Sequence, residues 1–209
     1  MLRGTRIISG REAALFSTVI ARLSAFAREF GFEELIIPAI WDLGTFATKA
    51  GEELTKQIWN FSDKGGRDVC LIPEVTGIVQ EIWNDGLKKT KPKPWKVFYV
   101  QRCYRYEKPQ EGRYREFTQF GIEILGGKTD SLIAVDLLAG AIRSVGCTDT
   151  KLVPSVKRGL SYYTEDGFEV ECPILGAQKQ IAGGGRYPEG IGWAIGIDRL
   201  VLALEKAND

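Results

Sequence analysis

Apolar residues recur at three- and four-residue spacing along residues 11–30, at Leu15, Val19, Ile20, Leu23, Ala27 and Phe30, and Gly31 follows them. The spacing predicts an amphipathic helix closed by a glycine stop. Residues 33–38 read as a strand ended by Pro38, and residues 57–61 and 69–72 read as a hairpin around the polar turn 62–66. Ile78, Ile82 and Trp83 give residues 75–83 helical spacing. Beyond a lysine- and proline-rich link at 88–94, residues 95–106 and 117–125 alternate in the manner of strands, with a charged, turn-forming loop at 107–116 between them. Residues 131–145 repeat the amphipathic helical pattern. Short strand candidates follow near 151–156, 167–171 and 178–182. The chain closes with a helix whose start, 190–196, is glycine-rich and which runs on through Leu200, Val201 and Leu204.

Strands arranged mostly as hairpins, with helices at the beginning, middle and end, predict an α+β fold in which an antiparallel β-sheet is flanked by helices. No repeat, low-complexity tract or second hydrophobic pattern interrupts the chain, so residues 1–209 are expected to form a single domain.

Composition narrows the chemistry. With 44% of its 209 residues hydrophobic, the chain can bury one sizeable core. Lysine and arginine number 28 against 27 acidic residues, which leaves no global positive field for sequence-independent nucleic-acid binding; any contact with a polynucleotide has to be local. Cys70, Cys103, Cys147 and Cys172 form no CxxC pair, and buried free thiols are expected rather than a zinc site or a disulfide framework. Histidine is absent, which removes the commonest general base and metal ligand. No stretch has the pattern of a signal peptide or the length of a membrane span, so a soluble, cytoplasmic protein with no membrane partner is expected.

Charge and aromatic side chains concentrate between Tyr104 and Phe117, where Arg105, Arg113 and Arg115 fall on and beside one loop. A charged hairpin loop is ordinarily a solvated turn. Arg105 and Glu107, however, lie two residues apart and are expected on one strand face, an arrangement costly in a core and useful to a polar ligand. A guanidinium presents a planar fork matched to phosphate oxygens, and a loop carrying two more can close over a polyphosphate. ATP fits that constellation.

At these residues the sequence resembles a known family. Arg105-Tyr106-Glu107, the loop Gly112-Arg113-Tyr114-Arg115 and the strand Phe117-Thr118-Gln119-Phe120-Gly121 are similar to motif 2 of class II aminoacyl-tRNA synthetases, in the version typical of histidyl-tRNA synthetase. Residues 31–38 resemble motif 1, and Gly196-Ile197-Asp198-Arg199-Leu200 resembles motif 3. Pro73-Glu74-Val75-Thr76 resembles the amino-acid-binding PExT stretch, Arg158-Gly159-Leu160-Ser161-Tyr162-Tyr163 the RGLDYY signature, and residues 182–187 its AGGRY companion. Tyr162 and Tyr163 by themselves fit packing, and Gly183-Gly184-Gly185 by itself fits a flexible turn; six stretches in family order give them a functional reading.

The resemblance implies a class II catalytic core in which the carboxylate of histidine attacks the α-phosphorus of ATP, giving histidyl-adenylate and pyrophosphate. Arg105 would hold the α-phosphate and Arg158 would meet the same centre from the other side. Arg113 and Arg199 would take the outer phosphates with bridging Mg2+, Glu107 would receive the adenine amino group, and Phe117 would complete the ATP set. Glu74, Thr76 and Gln119 would bind the α-amino group; Glu123 and Tyr163 would read the imidazole, with Tyr162 beside them. The acceptor end of tRNA-His would meet the motif 2 loop, and motif 1 would build a homodimer.

The pattern also departs from the family. Ile72 stands where arginine usually precedes PExT, Ser161 replaces the aspartate of RGLDYY, Thr118 replaces a histidine, and a third glycine and Pro188 alter the AGGRYD stretch. Residues 145–158 leave no room for the family's inserted domain, and the sequence, which ends soon after motif 3, is expected to lack an anticodon-binding domain. Adenylate formation is therefore the firmer expectation. The alternative is a catalytically silent paralogue that senses histidine or serves as a regulatory subunit, a type that tends to lose the catalytic arginines; an excised catalytic core fits the same ends.

Overall fold

The computed structural model describes residues 1–47, 51–157 and 159–207. Helix α1 (Gly10–Glu29) realises the first amphipathic pattern and buries Val19, Leu23, Ser24 and Ala27. Gly31 then turns the chain in the left-handed region, at φ 75°, where a side chain would be strained. Strand β1 (Glu33–Leu35) leads to β2 (Ile40–Asp42), the short helices α2 (Gly44–Ala47) and α3 (Gly51–Thr55), and the hairpin β3 (Trp59–Ser62) and β4 (Asp68–Leu71). That hairpin is the expected one, and its turn is held by Asp63, whose carboxylate accepts the N–H groups of Gly65 and Arg67. Helix α4 (Thr76–Ile82) continues through a π-helical turn, Trp83–Leu87, into α5 (Lys88–Thr90).

The long hairpin β5 (Trp95–Tyr104) and β6 (Glu116–Leu125) supplies the centre of the fold, followed by α6 (Ser131–Ser144), β7 (Lys151–Val156) and β8 (Gly167–Glu171). A 3-10 turn, Pro173–Gln178, precedes β9 (Gln180–Tyr187), β10 (Gly190–Gly196) and α7 (Ile197–Lys206). Seven strands form one sheet in the order β1-β5-β6-β10-β9-β8-β7, while β2, β4 and β3 form a small second sheet. All neighbours in the large sheet are antiparallel except β1 and β5, which run parallel. The expected α+β architecture of a large sheet flanked by helices is therefore what the chain adopts.

Alternation sorts β5 and β6 into two faces. Phe98, Phe120, Ile122 and Ile124 pack with α1, α6 and α7 in one hydrophobic cluster. Trp95, Val97, Tyr99, Cys103 and Leu125 face the other way, into a second cluster with α4 and the small sheet. Burial of this kind, at about 25 cal/mol per Å² of apolar surface, is the main force holding both layers to the sheet.

Two expectations are corrected here. Residues 190–196 are a strand rather than the start of the last helix, and the strand expected near 178–182 extends to Tyr187, so the triple glycine is strand and not turn. The reason is steric. A Cβ at Gly190 would run into the Ile124 carbonyl, one at Gly184 into the Gly192 carbonyl, and one at Gly192 into the Glu123 carboxylate. Glycine marks close approach of β6, β9 and β10 here, not a loop. Gly192→Ala is accordingly expected to destabilise the protein by about 2 kcal/mol or more, read as a lowered urea midpoint; an unchanged midpoint would contradict this packing.

Candidate active site

On the face of the sheet opposite α1 and α6, and reached by the first turn of α7, lies a cavity of about 370 Å³, lined by residues from most of the stretches that the sequence singled out. Its two ends differ in chemistry.

One end is cationic. Arg105 follows the last residue of β5; its backbone N–H bonds the Arg115 carbonyl at 3.0 Å, its Nε–H donates to the Pro73 carbonyl at 2.9 Å, and its guanidinium lies 5.2 Å from the ring centre of Phe117. Carbonyl and ring together fix the plane of the fork. Glu107 N–H bonds back to the Arg105 carbonyl at 2.8 Å, so a tight turn, not strand alternation as expected, brings both side chains to the cavity. The Glu107 carboxylate is paired with Arg113 Nε at 2.5 Å. Arg199, in the first turn of α7, donates through Nε to the Gly112 carbonyl at 2.8 Å and through Nη1 to the Gln180 carbonyl at 2.8 Å. It thereby ties the loop tip to β9. Burial, then the neighbouring Arg113, lower the proton affinity of Arg199, the signature of cations gathered without their anion.

The other end is acidic and aromatic. Glu74 precedes α4 and is 3% exposed; its carboxylate accepts the Gly77 N–H at 3.0 Å and the Tyr162 hydroxyl at 3.2 Å. Burial raises its pKa against the opposing pull of Gly77 and Arg105. Glu123, on β6, is fully buried and accepts the Thr76 hydroxyl at 2.6 Å and the Tyr187 hydroxyl at 2.7 Å. Burial pushes its pKa up to about 8, although both hydroxyls favour the charged form. Gln119 is two positions before Gly121 on the same strand face and lines the cavity, with Cys103 Sγ 3.3 Å from its Oε1. The rings of Tyr162 and Tyr163 are 4.7 Å apart at the cavity wall.

Of the expected site residues, Glu74, Thr76, Arg105, Glu107, Arg113, Phe117, Gln119, Tyr162, Tyr163 and Arg199 line this one cavity. Glu123 does not; it lies behind the wall, reaching the cavity through Thr76. Arg158 lies outside the described residues, while Gly159 and Leu160 after it line the cavity. Ile72, where the family usually has arginine, is fully buried in the second hydrophobic cluster, so that departure is absorbed as core. All four cysteines are free and buried, as expected. Burial pushes the Cys70 thiol up to about 11 and Cys147 up to about 12, which keeps them protonated and unreactive.

Sequence reasoning passed over Tyr99, Tyr187 and Asp198. Tyr99 pairs with Gly121, which has no side chain to cover it, so the phenol occupies the cavity floor. The alternation of β5 puts Tyr99 on the face of Cys103 and was the available signal. Tyr187 closes the AGGRY stretch, but only pairing across the sheet delivers its hydroxyl to Glu123. Asp198 lines the cavity beside Arg199 and accepts the Thr118 N–H at 2.8 Å.

A large, mostly antiparallel sheet flanked by helices, with three arginines gathered at one end of a cavity and a buried carboxylate at the other, is the plan of a class II aminoacyl-tRNA synthetase catalytic domain. Comparison with known proteins carries this further. The histidyl-tRNA synthetase family profile matches residues 4–155. A histidine–tRNA ligase of Methanosarcina acetivorans is 42% identical over 146 residues, covering 69% of this chain and 35% of that protein. The apo histidyl-tRNA synthetase of S. aureus superposes with a TM-score of 0.82 at 25% identity, over 100% of this chain and 70% of that one. A histidine–tRNA ligase subunit from Alicyclobacillus acidocaldarius shares the fold with a TM-score of 0.87 at 17% identity, over 100% of this chain and 98% of that one. The chain belongs to the histidyl-tRNA synthetase family. It spans 35–37% of the length of the first curated relatives it matches. Among the described residues no helix is long and apolar enough to cross a membrane.

Proposed function

We propose that this chain activates histidine with ATP, forming histidyl-adenylate and releasing pyrophosphate. The single observation that carries the reading is the joining of a cationic nest, Arg105, Arg113 and Arg199, to an acidic and phenolic pocket, Glu74, Tyr162 and Tyr163, within one cavity. A triphosphate and an amino acid with a cationic amine need those opposite environments side by side.

In the proposed reaction a carboxylate oxygen of histidine forms a bond to the α-phosphorus as the bond to the bridging oxygen of pyrophosphate breaks. The protein performs no covalent step, so rate comes from alignment and from donors preset where charge builds. Arg105 takes the α-phosphate, with Arg158 assigned to the same centre by its place in the family motif. Arg113 and Arg199 take the outer phosphates, which requires Arg113 to leave Glu107 and frees that carboxylate for the adenine amino group; Phe117 stacks against the base. Glu74, Thr76 and Gln119 hold the α-ammonium. Glu123, with Tyr163, distinguishes imidazole from rings that lack nitrogen, because an analogue without those nitrogens leaves buried polar groups unpaired. Mg2+ held by the outer phosphates of ATP, beside Arg113 and Arg199, would neutralise part of their charge.

Transfer of the histidyl group to the acceptor end of tRNA-His, a homodimer and a cytoplasmic setting belong to the same proposal. Ile36, just after the edge strand β1, and Ile40, which opens β2, are 92% and 50% exposed, which suits a subunit interface. Pyrophosphate exchange into ATP tests the central step. Exchange is expected with histidine and with none of the other amino acids. Histidine binding without exchange would favour the regulatory, non-catalytic reading instead.

A further inference from the structure

Ahead of α1 the chain makes an extended strap, and nothing in the motif reading gives it a task. It lies against the nucleotide end of the cavity and touches α1, the 107–116 loop and α7. The Gly4 carbonyl accepts the Arg115 N–H at 2.7 Å, and the Arg3 carbonyl accepts Arg115 Nη1 at 3.3 Å. Gly4 adopts φ 87°, and a Cβ there would come within 2.8 Å of the Arg115 side chain and 2.9 Å of Pro109, so the strap is fitted to the loop.

Arg6 is the centre of this contact. Its Nη2 bonds Asp198 Oδ1 at 2.8 Å, its Nη1 pairs with Glu12 of α1, and its guanidinium lies 4.5 Å from the ring centre of Tyr114. Asp198 uses its second oxygen on the Thr118 N–H at 2.8 Å. Its side chain is 7% exposed and that of Arg6 21%. One cation thus joins α1, the 107–116 loop and α7, with β6 reached through Asp198, and two of its partners, Tyr114 and Asp198, are the chain neighbours of Arg113 and Arg199. Without it, Asp198 would be a nearly buried anion with one oxygen unmatched, facing the place where phosphate oxygens must sit.

We infer that residues 3–6 brace the nucleotide half of the site, with Arg6 as a positioning residue that neutralises Asp198 and holds the 107–116 loop in the form that receives ATP. The nucleotide part rests on the functional reading above; the brace does not. Arg6 touches none of the residues assigned to histidine, so its effect separates the two substrates.

The test uses the full chain with Arg6→Ala. Hydrogen exchange without any ligand reads the brace itself. Amides of the 107–116 loop, Arg115 above all, and the Thr118 amide are expected to exchange about 10-fold faster or more, with residues 120–125 unchanged. Unchanged loop exchange would overturn the inference whether or not the protein binds ATP. Calorimetry with ATP and with histidine separately reads the consequence. ATP binding is expected to weaken about 10-fold and histidine binding less than about twofold, with millimolar guanidinium recovering part of the ATP affinity. Equal loss of both ligands, or loss of neither, would assign Arg6 a merely structural role and overturn the positioning claim. Wild-type protein that binds no ATP would instead refute the functional reading and the nucleotide half with it, while exchange still decides the brace.

Discussion

Arg105→Ala is expected to lower histidine-dependent pyrophosphate exchange by about 10²–10³-fold while leaving histidine binding within about threefold. The size follows from placement. The Pro73 carbonyl and the Phe117 ring hold the guanidinium before substrate arrives, so its donors act on developing phosphoryl charge without the cost of being ordered at that moment. Histidine should bind within that margin because the hydrogen-bond partners of Glu74, Thr76 and Gln119 are Gly77, Tyr162, Glu123 and Cys103, all of which the substitution keeps, and only the charge of Arg105 acting on Glu74 is lost. Arg113→Ala should cost less, since in the empty site that side chain is engaged with Glu107 and has to be released first. Single-turnover measurements separate the two variants. An Arg105→Ala enzyme that activates histidine at the normal rate would remove this residue from the proposed chemistry.

A second large effect is expected from Glu123→Gln, and it has two parts. Burial is the main cause that lifts the Glu123 carboxyl from the usual 4.5 to about 8. Between those values the folded protein keeps a proton that the unfolded chain has released. The favourable term is therefore complete below pH 4.5, declines as pH rises through the window, and is gone above about 8. The empty wild-type protein should lose stability by up to a few kcal/mol across that range. Glutamine keeps the shape and cannot titrate, so the variant should follow a flatter profile and gain on wild type toward pH 9. Glu74, shifted in the same direction by its own burial, leaves the variant some residual slope. The other part concerns the ligand. Loss of the carboxylate that Thr76 and Tyr187 orient is expected to weaken histidine binding by about 10²-fold. Parallel pH profiles for variant and wild type would show that Glu123 is not the titrating group, and full histidine affinity in the variant would detach it from ring recognition.

Much of this site was legible along the chain because each local signal depends on near neighbours. Alternation in β5 and β6 separates Gln119 and Glu123 from Phe120 and Ile122, and the order of the motif stretches brings Arg105, Arg113 and Arg199 into one reading. Illegible features share a different origin. Gly190 and Gly192 read in sequence as the start of the last helix, yet they are strand because β6 and β9 press so closely on β10 that no side chain fits. Glu107 reaches the cavity by a turn that no periodicity announces. Tyr187 meets Glu123, and Arg6 meets Asp198, across 64 and 192 residues of sequence.

By itself the sequence determined the periods of its helices and main strands, the family motifs, and the kinds of charge available to a ligand. Only the tertiary structure decided which of those charges stand together, which carboxylates are buried deeply enough to hold a proton near neutral pH, and that the amino-terminal strap reaches the nucleotide loop. Period and composition act over a turn of helix or a pair of strand residues, whereas desolvation and ion pairing depend on what the folded chain brings within a few ångströms, however far apart in sequence it began.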